Sequence, residues 1–149
     1  MINIKEKVLS LKDRYGCAEP EQLCEKMGIN IVDHELPDNI NGFTVSMEGI
    51  PFIVLNSALN YYDRRITMSH ELGHIVLHGS TNTVCLSLNT SFCLSKFERE
   101  ADCFAACLLM EAGLEEIDGM DCVTAEDIAK RAHIPQEMVE NAFSRWSEI

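Results

Sequence analysis

Arg64-Arg65-Ile66-Thr67-Met68-Ser69-His70-Glu71-Leu72-Gly73-His74-Ile75-Val76-Leu77-His78 is the stretch on which the fold and chemistry of this chain turn. Ile66, Ser69-His70, Gly73-His74 and Leu77-His78 recur at three and four residues, the period of a helix. Gly79 supplies a C-terminal stop. Histidines four apart on a helix point the same way, so His70 and His74 can share one metal ion at about 2.0–2.1 Å each. Glu71 is turned about 100° from His70 and can lie beside such an ion, close to its water. Three of the five histidines fall in this stretch. A purely structural core does not favour that density, because each buried imidazole must be desolvated and hydrogen-bonded.

A catalytic zinc takes three protein ligands and keeps one position open. His78 is the nearest third candidate, but a straight helix climbs about 12 Å from His70 to His78. A role behind the ligands, or as a cap at the helix C-terminus, suits His78 better. The longer H-E-x-x-H-x-x-G-x-x-H arrangement is absent, since Leu77 stands where its glycine would. Phe97-Glu98-Arg99-Glu100-Ala101-Asp102-Cys103-Phe104-Ala105-Ala106-Cys107-Leu108-Leu109-Met110 reads as a second strong helix, capped by Ser95. Glu98 is the preferred third ligand and Glu100 its rival. Asp102, one turn beyond Glu98, can orient a ligand imidazole. Ala101 and Ala105 are small enough to let the His70 helix approach. A duller use of Glu98 is to close a capping box with Ser95.

Outward from this pair, Ile4, Val8, Leu11 and Tyr15 form one helical stripe within residues 2–15, ended by Gly16. Glu19-Pro20-Glu21 opens a short helix carrying Leu23, Cys24 and Met27, closed by Gly28. Strands follow over Ile29 to Leu36, Gly42 to Met47 and Pro51 to Leu55, with Pro37-Asp38-Asn39 and Glu48-Gly49 as turns. Residues 80–94 lack a helical period and read as a loop. Residues 124–148 read as two short helices split by His133-Ile134-Pro135. Packing Ile128, Ile134, Val139, Phe143 and Trp146 against the body is their simplest use. The fold class expected is α+β: a small mixed or mainly antiparallel sheet packed against helices, zincin-like with an H-E-x-x-H helix. One domain spans 1–149, with a C-terminal helical part from about 122 to 149.

Composition narrows the functions. The 149 residues carry 24 acids against 12 Lys+Arg, a net charge of -12. Such a surface repels phosphate backbones and anionic membranes. Residues 124–146 resemble a helix-turn-helix, but residues 124–149 hold five acids and three bases and offer no phosphate-binding footprint. Seven cysteines, an odd number without a C-x-x-C, read as reduced thiols of a cytoplasmic protein. Cys85, Cys93, Cys103 and Cys107 are too loosely spaced for a good second zinc site. No leader-like apolar segment or bilayer-length run occurs.

The chain resembles the ImmA/IrrE family of zinc metallopeptidase-like proteins. The likeness runs through Cys24-Glu25-Lys26-Met27-Gly28-Ile29, Asn41-Gly42-Phe43, Phe52-Ile53-Val54-Leu55-Asn56 and the stretch from Arg64 to His78. It continues through Glu98-Arg99-Glu100-Ala101-Asp102-Cys103-Phe104-Ala105 and Leu108-Leu109-Met110. The resemblance implies Zn2+ held by His70, His74 and Glu98, with Glu71 as general base. It also implies cleavage of a regulatory protein, typically a phage or mobile-element repressor that binds DNA through a helix-turn-helix. No oxyanion donor is evident; His34, Tyr61, Tyr62 and His78 are the chemically competent residues. A binding module that recognises a transcriptional regulator without cutting it is therefore the alternative. The chain departs from the family at Glu111, where a proline usually follows Leu-Leu-Met, and it leaves no room for the fused DNA-binding domain that members often carry.

Overall fold

The computed structural model describes residues 3–79, 91–113 and 124–146. Helix α1 (Ile4–Tyr15) begins where the Asn3 side chain accepts the Glu6 amide at 3.1 Å. It ends at Gly16, whose φ of +73° lets its amide turn back onto the Lys12 carbonyl. The expected stripe faces inward: Ile4, Val8 and Leu11 are buried, and Tyr15 is partly so. Pro20 opens α2 (Pro20–Lys26), which buries Leu23 and Cys24.

Three strands follow: β1 (Asn30–His34), β2 (Gly42–Met47) and β3 (Ile50–Asn56). They make a mixed sheet in the order β1-β3-β2, with β3 antiparallel to β2 and parallel to β1. The β2–β3 hairpin turns through Glu48 and Gly49, both at positive φ, the two-residue geometry that matches strand twist. The parallel partner makes the expected sheet, mixed or mainly antiparallel, the mixed kind. The cause is the connection after β1. The Asn56 side-chain amide donates to the carbonyls of Leu36, Pro37 and Ile40 at 3.2, 3.3 and 2.9 Å, pinning that connection over the end of β3. The chain therefore re-enters at the far edge, and the most apolar strand takes the centre.

One face of the sheet carries Ile53 and Leu55 into the core. Gly42 lies on that face, where a Cβ would stand 2.7 Å from the Val54 carbonyl oxygen and 3.0 Å from Thr67 Cγ2. Only glycine lets β2 come this close to the helix beneath. The opposite face presents Val32, Phe43, Val45 and Met47 to solvent, with Phe52 and Val54 half-buried among them.

Asn60 caps α3 (Tyr61–Gly73), accepting the Asp63 amide at 2.9 Å. The helix runs on into a wider turn at His74–His78, where the Gly79 amide reaches the His74 carbonyl five residues back at 3.1 Å. Helix α4 (Ser91–Gly113) starts earlier than a Ser95 cap would place it. Ser95 is thus inside the helix, and the capping-box use of Glu98 is excluded; residues 91–94 also belong to the helix rather than to the expected loop. The last two helices are α5 (Ala125–Ala132) and α6 (Gln136–Trp146). Thr124 and Asp127 form a reciprocal capping box at the start of α5, and His133 ends it at φ +56°.

Phe104, Leu108 and Leu109 of α4 meet Met68 and Leu72 of α3, Val8 of α1 and Leu23 of α2 in one fully buried core. Ile134 and Val139 join it as expected. Phe143 does not pack as fully as expected, remaining 39 % exposed. The side chain of Trp146 lies outside the described residues. Ion pairs tie the elements together. Arg64 grips Asp33 through two bonds of 2.9 and 3.1 Å, joining α3 to β1. Arg65 grips Glu19 at 2.7 and 3.3 Å, joining α3 to the start of α2. Glu111 meets Lys12 at 2.7 Å, so the residue that stands in place of a proline lets α4 continue and dock onto α1. Cys24, Cys103 and Cys107 are buried and outside any disulfide among the described residues, whereas the side chains of Cys85 and Cys93 lie outside the described residues. Among the described residues, no helix is long and apolar enough to cross a membrane.

Candidate metal centre

His70 and His74 project from consecutive turns toward α4, and their rings meet edge to face with centroids 4.8 Å apart. Their Nε2 atoms lie 3.1 Å from each other. Glu98 reaches over from α4 and places Oε2 3.0 Å from His70 Nε2 and Oε1 3.0 Å from His74 Nε2. The ligand-type atoms of His70, His74 and Glu98 all fall within 4.8 Å of one another, a group that can hold a metal ion. Two imidazole nitrogens and one carboxylate are a donor set for a divalent transition metal, and three donors leave a coordination position open. The Glu98 side chain is 58 % exposed, against 18 % for His70 and 8 % for His74.

Close approach of the two helices depends on small residues. A Cβ on Gly73 would stand 3.1 Å from Phe104 Cδ1 and 3.2 Å from Ala101 Cα. Gly73 and Ala101 thus set the spacing across which Glu98 must reach.

Behind the three ligand-type groups stands a second row. Asp102 Oδ1 lies 2.8 Å from His70 Nδ1, the nitrogen facing away from Glu98. His74 Nδ1 lies 3.2 Å from His78 Nδ1, and His78 Nε2 lies 2.8 Å from Glu100 Oε2. The His78 ring stacks on Phe97 with centroids 4.1 Å apart. Both rival third ligands are therefore engaged elsewhere: Glu100 holds His78, and both ring nitrogens of His78 are taken. The spacing of Glu98 and Asp102 signals the Asp102 contact in advance. The partnership of Glu100 with His78 has no such signal.

Electrostatics follow from this packing. Burial pulls the His70 imidazole down, but Asp102 and then Glu98 overcome it and raise its pKa to about 10. The same contacts, first to His70 and then to His74, hold Glu98 well below the usual carboxylate range. Burial raises the Glu71 carboxyl, against the opposing pull of His70 and His74. His78 is lowered, chiefly by burial, despite its Glu100 partner. The other polar candidates sit differently. His34 is exposed at the end of β1, with Nδ1 on the Glu35 carbonyl. Tyr62 stacks on His133 at 4.2 Å, and Tyr61 meets Tyr62 edge-on at the exposed start of α3.

Comparison with known proteins agrees with this architecture. The family described as the IrrE N-terminal-like domain, peptidase M78, matches residues 24–144. "Uncharacterized immunity region protein 2" of Bacillus phage phi105 is 34 % identical over 135 residues, covering 91 % of this chain and 85 % of the relative. "Metallopeptidase ImmA" of Bacillus subtilis (strain 168) is 24 % identical over 144 residues, covering 95 % of this chain and 85 % of the relative. The family match takes in both histidine and carboxylate helices, and the chain belongs to the ImmA/IrrE family.

Proposed function

We propose that the protein is a zinc-dependent endopeptidase that cleaves a regulatory protein, with His70, His74 and Glu98 as metal ligands and Glu71 as general base. The observation that carries this reading is the convergence of two imidazole nitrogens and a carboxylate from two helices on one point. A zinc ion bound there supplies Lewis acidity, polarising a scissile carbonyl and making water easier to deprotonate.

The chain's own groups do the remaining work. Asp102 accepts the Nδ1 proton of His70 and so leaves Nε2 free as a lone pair toward the ligand cluster. Glu98 contributes the single negative charge of the set. Glu71, buried beside the histidines, takes a proton from the attacking water and returns it to the departing amine nitrogen. Burial makes its carboxylate a stronger base than a surface glutamate, as that transfer requires. The names of the relatives, an immunity region protein and a metallopeptidase, support a repressor of phage or mobile-element type as the substrate.

Two measurements test the proposal. Zinc content of the purified protein is expected near one per chain and is expected to fall in His70→Ala and Glu98→Gln. Incubation of zinc-loaded protein with candidate helix-turn-helix repressors of phage type is expected to yield fragments of defined mass from one of them. Chelator and Glu71→Gln are each expected to abolish them, the latter with zinc retained. Binding of a repressor without fragments would replace the peptidase with a recognition module.

A further inference from the structure

We propose that His78 and Glu100 are positioning residues that set the tautomer of His74, so that its Nε2 is presented as a lone pair for metal binding. The inference rests on the metal-site reading above and adds a second, longer relay to the one formed by Asp102.

Protons along the line from His74 to Glu100 can be placed one by one. A neutral imidazole carries a single N–H, so a free lone pair on His74 Nε2 puts the proton on Nδ1. That nitrogen faces His78 Nδ1 at 3.2 Å, which must then be the acceptor. His78 in turn carries its own proton on Nε2 and donates it to Glu100 Oε2 at 2.8 Å. An ionised carboxylate only accepts. Were His78 reversed, its bare Nε2 would face a carboxylate oxygen at contact distance, and its Nδ1–H would drive the His74 proton onto Nε2. Glu100 therefore makes the chain run one way.

The surroundings fit a fixed device rather than a chance contact. The side chain of His78 is 2 % exposed and that of Glu100 is 13 % exposed, against 58 % for Glu98. Phe97 stacks on the His78 ring and fixes its plane. The wider turn at His74–His78 is closed by Gly79 directly after His78. Such turns often occur at functional sites.

Two readouts test the relay. Nitrogen-15 spectra of zinc-loaded, histidine-labelled protein are expected to show His74 protonated on Nδ1 and His78 on Nε2. Zinc affinity, measured by competition with a chromophoric chelator, is expected to fall about 10- to 100-fold in His78→Phe. His78→Asn, whose amide oxygen can take the place of Nδ1, is expected to recover most of that loss. A packing role predicts the opposite order, because Phe preserves volume and stacking while Asn leaves a gap. An Nδ1–H on His78, or wild-type zinc affinity in His78→Phe, overturns the relay. Should His78→Phe not fold, the wild-type spectra decide alone. Failure of the wild-type protein to bind zinc would overturn the metal-site reading and the relay together. Zinc binding with the packing order of variants would overturn the relay only.

Discussion

Without a metal, His70 is an imidazolium clasped between Asp102 and Glu98. Its folded-state pKa of about 10 lies above the ordinary 6.5. The stabilisation is therefore complete below pH 6.5 and is lost as the pH climbs to about 10. Glu98 works in the other sense: its depressed value contributes above its ordinary 4.5 and is lost as the pH falls. In chelator, the melting-temperature advantage of wild type over His70→Asn should peak between about pH 5 and 6.5 and vanish near pH 10. A zinc-saturated sample should lose the alkaline slope, because zinc then occupies the Nε2 that the proton held. An advantage independent of pH would mean that His70 is not charged in the metal-free fold. At this scale much of the site was readable. A four-residue spacing on a helix puts His70 and His74 side by side whatever surrounds them, and Asp102 one turn from Glu98 follows the same rule. Glu100 was not readable, because residues two apart on a helix point about 200° apart. Nothing in the spacing indicates that Glu98 and Glu100 reach the same histidine row from different sides of α4.

Among the elements, the contact of α3 with α4 governs everything the site can do. Gly73 sits where it is tightest, with the Phe104 ring and the Ala101 backbone both closer than an added methyl tolerates. Gly73→Ala would gain up to about 1 kcal/mol of helix propensity. Overpacking costs about 1–3 kcal/mol, so a net loss of about 1 kcal/mol is expected in denaturant titrations. A second effect distinguishes this site from an ordinary core position. Pushing α4 outward lengthens the reach of Glu98, so zinc affinity should fall alongside stability. Stability loss with unchanged affinity would show that α4 adjusts along its length. The helices themselves were legible from apolar stripes and glycine stops. The sheet order was not. Consecutive strands joined by a Pro-Asp-Asn turn read as an antiparallel pair, and only the side chain of Asn56, bonding to three carbonyls, sends the chain past the central position. The start of α4 lies elsewhere than expected: Ser-Lys-Phe-Glu is a valid capping pattern, but the helix already runs through it.

For the molecule as a whole, helices cover one side of a three-stranded sheet and, among the described residues, leave the other bare. Val32, Phe43, Val45, Met47 and the neighbouring Ile50 make that bare side a contiguous oily panel without a charged residue. Dispersal in water then depends on Coulomb repulsion between copies, supplied by an excess of twelve negative charges. That repulsion disappears near the isoelectric point, about pH 4.7. Light scattering should show clouding there, reversed on return to neutral pH, and Met47→Lys should move its onset to higher protein concentration. Equal clouding in both proteins would shift the cause to another surface. Purification by acid steps or cation exchange is thus a poor choice for this protein, and mildly alkaline, low-salt buffers keep its copies apart.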